Sequence, residues 1–147
     1  MKLKNVIGLM SGTSMDGINA SLVKTNGEAL EQTGYQIISN YNETTASLLK
    51  EYIFNYHKLK NNKDFEKEVS NEIVTDHNNA ITKLNRLSGI KPDLIGFHGQ
   101  TVFHNSLKKI SVQIGSGYLL SKMCNIKVVS EFRQKDIENG GEGAPIS

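Results

Sequence analysis

A short segment of glycines, hydroxyl residues and one carboxylate lies near the N-terminus. It runs from Gly12 to Gly17 and separates the apolar residues 6–10 from the largely apolar residues 18–23. Glycines let the backbone approach a bound group, and hydroxyls beside unpaired N–H donors can surround phosphate oxygens. Asp16 would repel bare phosphate, but a carboxylate can hold Mg²⁺ directly or through a bound water. The segment therefore indicates a nucleotide bound together with its metal.

The same residue types are also typical of an ordinary hairpin turn. Gly-Thr-Ser and Asp-Gly are common turn sequences between two strands. The Gly-x4-Gly-Lys-Ser/Thr pattern of a P-loop does not occur in the sequence. The loop alone leaves both interpretations open.

A second polar group follows the short apolar run 94–97, which we predict to be a buried parallel strand. His98, Gln100 and Thr101 come directly after this run. Ligands of α/β sheets bind at the carboxyl ends of parallel strands, so these side chains are candidates for contact with a substrate. A purely structural His-Gly-Gln turn is the alternative. His98 and His104 lack a third ligand residue nearby, so we do not expect a zinc site.

A third group follows the predicted strand 127–130. Arg133 offers five donors in a plane, and Asp136 offers acceptors for sugar hydroxyls or for the guanidinium of Arg133 itself. An internal Arg-Asp pair is therefore an equally good explanation. The glycine run 140–143 predicts either close backbone approach to a ligand or a mobile linker.

Hydrophobic periodicity predicts the elements that must position these groups. An antiparallel meander of three strands comes first, then two amphipathic helices, of which the second ends at Gly89, and then further strands and a helix. The predicted strands are 6–10, 18–23, 35–41, 94–97, 111–114 and 127–130, and the predicted helices are 45–56, 64–88 and 117–123. His77 lies near the apolar stripe of the second helix and is predicted to be a half-buried packing residue.

Composition narrows the class of protein. The 147 residues carry 17 basic and 15 acidic side chains, a net charge of +2, with no basic cluster that would indicate nucleic-acid binding. The single cysteine, Cys124, is predicted to be a small core residue. The apolar stretch after Met1 is broken too early for a signal peptide, and no apolar run is long enough for a membrane span. We therefore predict a cytoplasmic protein with no nucleic-acid or membrane partner.

Four motifs occur in one order: GLMSGTSMDG from Gly8, GFHGQT from Gly96, VQIG from Val112 and EFRQKDIENGGEGAP from Glu131. Together they resemble the anhydro-N-acetylmuramic acid kinases, which are sugar kinases of the actin-like ATPase superfamily. The resemblance covers the whole chain. It implies an α/β fold of the actin-like ATPase (ribonuclease H-like) type, with a mixed sheet that starts with an antiparallel three-strand meander and has helices on its faces.

The resemblance also implies roles for residues. An ATP phosphate loop would comprise Gly12, Thr13, Ser14, Met15, Asp16, Gly17, Ile18 and Asn19, with Asp16 near Mg²⁺ or the γ-phosphate. The sugar side would comprise His98, Gln100, Thr101, Arg133, Asp136, Gly140, Gly141 and Gly143. Kinases of this family open the 1,6-anhydro ring of anhydro-N-acetylmuramic acid and phosphorylate O6 with ATP. The product, N-acetylmuramate 6-phosphate, enters cell-wall recycling and amino-sugar metabolism.

Kinases of this family are longer and have two lobes around a cleft, so residues 1–147 are expected to be an N-terminal lobe. The general base, the second phosphate loop and the adenosine pocket are then expected in a second lobe, encoded separately, and a homodimer is a further expectation. Glu131 and Glu142 stand where the family usually has Asp and Gln, which adds negative charge near an anionic substrate. Two alternatives remain: a non-catalytic remnant or interaction domain of the same fold, and an actin-like sugar kinase of other specificity.

Overall fold

A computed structural model describes residues 1–143 and shows a six-stranded mixed sheet with helices packed on it. In chain order the elements are β1 Lys4–Ser11, β2 Ile18–Thr25, β3 Leu30–Ser39, α1 Glu43–Phe54, α2 Tyr56–Leu59, α3 Lys63–Ser88, β4 Leu94–Asn105, β5 Ile110–Ile114, α4 Gly117–Cys124, β6 Lys127–Val129 and α5 Phe132–Glu138. No helix in this range is both long and apolar enough to cross a bilayer. Positions 144–147, which include the end of the fourth motif, lie outside the described residues.

The sheet has the strand order β3-β2-β1-β4-β5. Strands β1, β2 and β3 form an antiparallel meander, and β4 runs parallel to β1. One edge of β4 has two partners: its first residues pair in parallel with β6, and its last residues pair antiparallel with β5. This arrangement confirms the predicted fold class, in which an antiparallel start is followed by parallel strands with flanking helices.

The hydrophobic core lies between the sheet and α3. Alternate residues of β1 and β2, such as Ile7 and Leu22, are buried, as period-two alternation predicts. Helix α3 buries Ile73 and Leu84 against them. Its first turn is capped by the Asn62 side chain, which accepts a hydrogen bond from the Phe65 N–H at 3.1 Å. Gly89 ends the helix at a φ of 66°, so the predicted second helix and its glycine cap are confirmed.

Four elements differ from the sequence-based expectations, and one of them is the short helix α2, which was not predicted. Strand β3 starts at Leu30 rather than at residue 35, and β4 continues to Asn105 rather than ending at residue 97. Both extensions are stabilised by pairing with a neighbouring strand, which local periodicity does not report. Helix α5 was not predicted, because Phe132–Glu138 is mostly exposed and has no buried residue to mark a helical stripe.

The glycines after α5 form an ordered turn, so the mobile-linker alternative is wrong for the part that the structure describes. The Gly140 and Gly141 amides donate to the carbonyls of Ile137 and Asp136 at 3.0 and 2.8 Å. The Gly143 amide donates to the Asp136 carboxylate at 2.8 Å. Asp136 therefore folds the glycine run back onto the end of α5.

Candidate functional site

The glycine-hydroxyl loop lies between the carboxyl end of β1 and the start of β2. One turn closes it, with the Met15 N–H donating to the Gly12 carbonyl at 3.0 Å. Met15 and Gly17 adopt positive φ values of 57° and 121°. Thr13, Ser14, Asp16 and Asn19 are exposed, whereas the Ile18 side chain is fully buried in the core. Ile18 can therefore contribute only its backbone to a ligand.

Exposed backbone donors make this loop suitable for an anion. Within residues 1–143, the amides of Thr13, Ser14 and Asp16 have no hydrogen-bond acceptor. Free N–H groups beside hydroxyls are what phosphate oxygens require. The Asp16 carboxylate is exposed, and the described residues hold no group of three or more His, Cys, Asp or Glu side chains that could bind a metal. A metal ion here would take Asp16 together with oxygens of the bound phosphates.

The Gly17→Ala substitution is predicted to destabilise the chain by about 2–3 kcal/mol, because an L-residue at this φ is strained and its Cβ would lie 3.0 Å from the Ser39 carbonyl oxygen. Urea denaturation measures the loss. The matched control is Gly12→Ala, since a Cβ at Gly12 meets no atom within 4 Å. Equal losses for the two variants would contradict a conformational requirement at Gly17.

The expectation that His98, Gln100 and Thr101 emerge at a strand end is wrong. All three lie inside β4, which continues to Asn105. Gln100 and Thr101 are buried, with exposures of 0% and 2%, while His98 is half-buried. Contact of Gln100 and Thr101 with a substrate stays a prediction. In this structure both side chains lie beneath the surface of the site.

Two reciprocal hydrogen bonds connect β4 to the end of β1. The Ser11 hydroxyl donates to the Gly99 carbonyl at 3.2 Å, and the Gln100 side-chain amide donates to the Gly12 carbonyl at 2.7 Å. Ser11 and Gln100 are also register partners in the parallel pairing of the two strands. The predicted phosphate loop and Gln100, one of the predicted sugar residues, therefore lie next to each other.

His98 faces a cleft of about 350 Å³ between β4, β5 and the start of α5. The lining residues are Phe97, His98, Gly99, Ser111, Val112, Gln113, Gly115, Ser130, Glu131 and Gln134. The His98 Nδ1 lies 2.9 Å from the Gly99 carbonyl oxygen, and its Nε2 is buried with no partner among residues 1–143. Burial lowers the pKa of His98, and Arg133 lowers it further, while the Gly99 carbonyl opposes the shift.

A neutral His98 has one assignable tautomer. Because Nδ1 faces a carbonyl oxygen, it carries the proton, which leaves Nε2 as an acceptor. This acceptor is buried beside the cleft, so a ligand hydroxyl would reach it only after the surrounding side chains move.

Arg133 and Asp136 do not pair with each other. Arg133 Nη1 donates to the Ser111 hydroxyl at 3.0 Å, while Asp136 accepts from the Gly143 amide. In the described range the one ion pair is between Lys63 and Glu66. The interpretation of Arg133 and Asp136 as an internal ion pair is therefore wrong. Arg133 is held beside the cleft through Ser111, whereas Asp136 is occupied with the glycine turn.

Sequence reasoning missed four polar residues of this region. Tyr41 donates from its hydroxyl to the Gln100 side-chain carbonyl at 2.8 Å, and His77 lies 3.4 Å from the Ser11 hydroxyl. Ser111 and Gln113 line the cleft from β5. His77 is fully buried rather than half-buried. Only tertiary packing brings Tyr41 to Gln100, His77 to Ser11, and Ser111 and Gln113 to the cleft, since they come from a loop, a helix and a distant strand.

A mixed sheet of this topology, with a glycine-hydroxyl loop after its first strand, defines the class of actin-like ATPase and sugar kinase lobes. The family model described as anhydro-N-acetylmuramic acid kinase matches residues 4–147, and the chain belongs to that family.

Curated relatives carry the same family name. Anhydro-N-acetylmuramic acid kinases from Pelagibacter ubique and Rhodopseudomonas palustris are each 38% identical over 99% and 98% of this chain. The kinase from Gluconobacter oxydans is 37% identical over 95% of it. The chain spans only 40%, 41% and 39% of the lengths of these relatives.

Proposed function

We propose that this chain supplies the phosphate loop and part of the sugar site of an ATP-dependent kinase that acts on 1,6-anhydro-N-acetylmuramic acid. Family membership supports the substrate class. The observation that carries the proposal is the pair of hydrogen bonds, Ser11 to Gly99 and Gln100 to Gly12, because they connect the proposed phosphate loop to the strand that carries His98.

On the nucleotide side, the free amides of Thr13, Ser14 and Asp16 would bind phosphate oxygens. Asp16 would hold Mg²⁺, directly or through water, and the bound ion would neutralise charge on the phosphates. The Thr13 and Ser14 hydroxyls are exposed and add donors at the same loop. The loop therefore orients the phosphoryl group rather than reacting with it.

On the sugar side, His98 contributes an acceptor to the cleft, and the cation of Arg133 adjoins the cleft residue Ser111. His98 Nε2 would accept from a sugar hydroxyl. Arg133, which uses one nitrogen on Ser111, keeps other donors for the carboxylate of a muramyl sugar. Glu131 also lines the cleft, and its charge would oppose that carboxylate. Arg133 thus provides the compensating charge.

The proposed reaction joins hydrolysis to phosphoryl transfer. Water attacks the anomeric carbon, the bond from that carbon to O6 breaks, and O6 takes the γ-phosphoryl group of ATP, which leaves ADP. A general base accepts the proton of the water. We assign no residue among 1–143 to this base and place it, with the adenosine pocket, in a second lobe. Use of ATP also makes the cytoplasm the proposed location.

The face of the sheet away from α3 supports a covering partner. Met10 of β1 and Ile38 of β3 are exposed by 54% and 70%, and Phe132 of α5 by 48%. Exposed apolar side chains on one face are typical of an interaction surface. We propose a second kinase lobe as the partner, and a homodimer is the alternative that a measurement of mass in solution would show.

Phosphoryl transfer from Mg-ATP to 1,6-anhydro-N-acetylmuramic acid tests the proposal. The chain is assayed alone and co-expressed with the complementary part of the Pelagibacter ubique relative, and the sugar 6-phosphate is detected by mass spectrometry. We expect product only in the mixture. Product from the chain alone would contradict the need for a second lobe. No product in the mixture, together with no binding of Mg-ATP, would favour a non-catalytic domain, and transfer to a different sugar would indicate another specificity.

A further inference from the structure

We propose that Gln100 is a positioning residue that sets the conformation of the phosphate loop, instead of a residue that contacts the sugar. The part of this inference that concerns nucleotide affinity rests on the proposed function. The part that concerns the loop conformation rests only on contacts within the chain.

The Gln100 carboxamide is fully buried and all its polar atoms are bonded. Its Oε1 accepts from the Tyr41 hydroxyl at 2.8 Å, and its Nε2 donates to the carbonyls of Gly12 at 2.7 Å and Thr101 at 2.9 Å. Two carbonyl acceptors on one side and a hydroxyl donor on the other define the orientation of the amide. No neutral or charged isostere has this donor and acceptor pattern.

The Gly12 carbonyl connects this amide to the loop turn. It accepts from Gln100 Nε2 and also from the Met15 N–H, whose hydrogen bond at 3.0 Å closes the turn. The β1–β4 register shifts between Leu9 and Ser11, so the backbone ladder is irregular just before the loop. Gln100 supplies a side-chain bond where that ladder is interrupted, and the position of the turn depends on it.

A second layer holds Tyr41 in place. Asp76 is buried and accepts from both the backbone N–H and the side-chain amide of Asn42, each at 3.0 Å. These two hydrogen bonds hold Asn42, the residue after Tyr41, in place. The Tyr41 hydroxyl points at Gln100. Burial raises the pKa of Tyr41, so the hydroxyl keeps its proton as a donor. The loop is thus supported from helix α3 through Asp76, Tyr41 and Gln100.

The test compares Gln100→Leu and Tyr41→Phe with the unmodified chain. Hydrogen exchange of the Met15 amide reports the turn directly, and we expect it to be at least about tenfold faster in Gln100→Leu. Tyr41→Phe removes only the group that orients the amide, so we expect an increase of about two- to threefold. For Mg-ATP, Gln100→Leu should raise the dissociation constant by about tenfold, provided that the loop binds nucleotide.

Val69→Ala serves as the matched control, because Val69 is a buried core residue of α3. It should lower global stability without changing Met15 exchange beyond the global effect. If Met15 exchange in Gln100→Leu equals that in a control of the same stability, the inference is overturned. If Gln100→Leu does not fold, the test is the comparison of Tyr41→Phe with Val69→Ala, again by hydrogen exchange of the Met15 amide.

Different results would contradict the proposed function and the positioning role of Gln100. Faster Met15 exchange in Gln100→Leu, together with no Mg-ATP binding by the unmodified chain assembled with the second lobe, would support positioning and argue against the nucleotide role. In the assembled kinase, a raised KM for the sugar with an unchanged Mg-ATP dissociation constant would overturn the inference and restore Gln100 as a sugar contact.

Discussion

Acidification from pH 7 to pH 4 should remove on the order of 3 kcal/mol of folding free energy from this chain through His77 alone. Burial lowers the pKa of His77 to about 4, while the Ile73 carbonyl and Asp76 oppose the shift and His98 adds to it. The folded protein therefore holds a neutral imidazole with Nδ1–H donating to the Ile73 carbonyl at 2.7 Å. The unfolded chain binds a proton near the ordinary histidine pKa.

The direction in which stability changes with pH follows from this lowered pKa of His77. His77 is neutral in both states above about pH 6.5, so it costs no stability there. As pH falls from about 6.5 towards about 4, the unfolded state takes up the proton and the folded state does not, so stability is lost.

Denaturation curves at a series of pH values measure the effect. His77→Gln should be less stable at neutral pH, because it leaves the Ser11 and Ile73 contacts altered, but its stability should fall less with acid. His57→Gln, at an exposed histidine of α2, is the control that keeps the acid dependence. An unchanged slope in His77→Gln would contradict the assignment.

Asp16→Asn in the assembled kinase should reduce phosphoryl transfer by about 10²–10³-fold. Asparagine keeps an oxygen ligand but loses the charge that binds Mg²⁺. Since Asp16 is exposed and makes no ion pair within residues 1–143, folding should be unaffected. Steady-state rates measured over a range of Mg²⁺ concentrations should also show a higher Mg²⁺ requirement.

Glu28→Gln is the matched control for this charge change, because Glu28 is an exposed carboxylate in the turn between β2 and β3. It should leave both the rate and the Mg²⁺ requirement unchanged. A wild-type rate in Asp16→Asn at limiting Mg²⁺ would show that Asp16 does not serve the metal, and the phosphate loop would then act through its amides alone.

The structure differs most from the sequence-based prediction in β4. Residues 98–105 contain His98, Gln100 and Thr101, whose polar character predicts a loop by local rules. In the folded chain the same residues are strand, since β4 pairs with β1 as far as Gln100 and with β5 from Gln100 to Asn105. Gln100 then finds partners that are remote in sequence, Tyr41 and Gly12.

The sequence by itself determined the features that depend on near neighbours along the chain. These are the meander, the long amphipathic helix that ends at Gly89, and the glycine-hydroxyl loop between the first two strands. Hydrophobic period, capping and turn chemistry act over a few residues, so a linear pattern is enough to predict them.

Only the tertiary structure decided which polar residues face a ligand and which support the site from behind. His98 and Gln100 are two positions apart, yet one borders the cleft and the other is enclosed with Tyr41 and Gly12. The register shift between β1 and β4 and the positive φ of Gly99, 77°, interrupt the simple alternation of a strand here. Burial and hydrogen-bond partners come from segments distant in the chain, and no local pattern encodes that pairing.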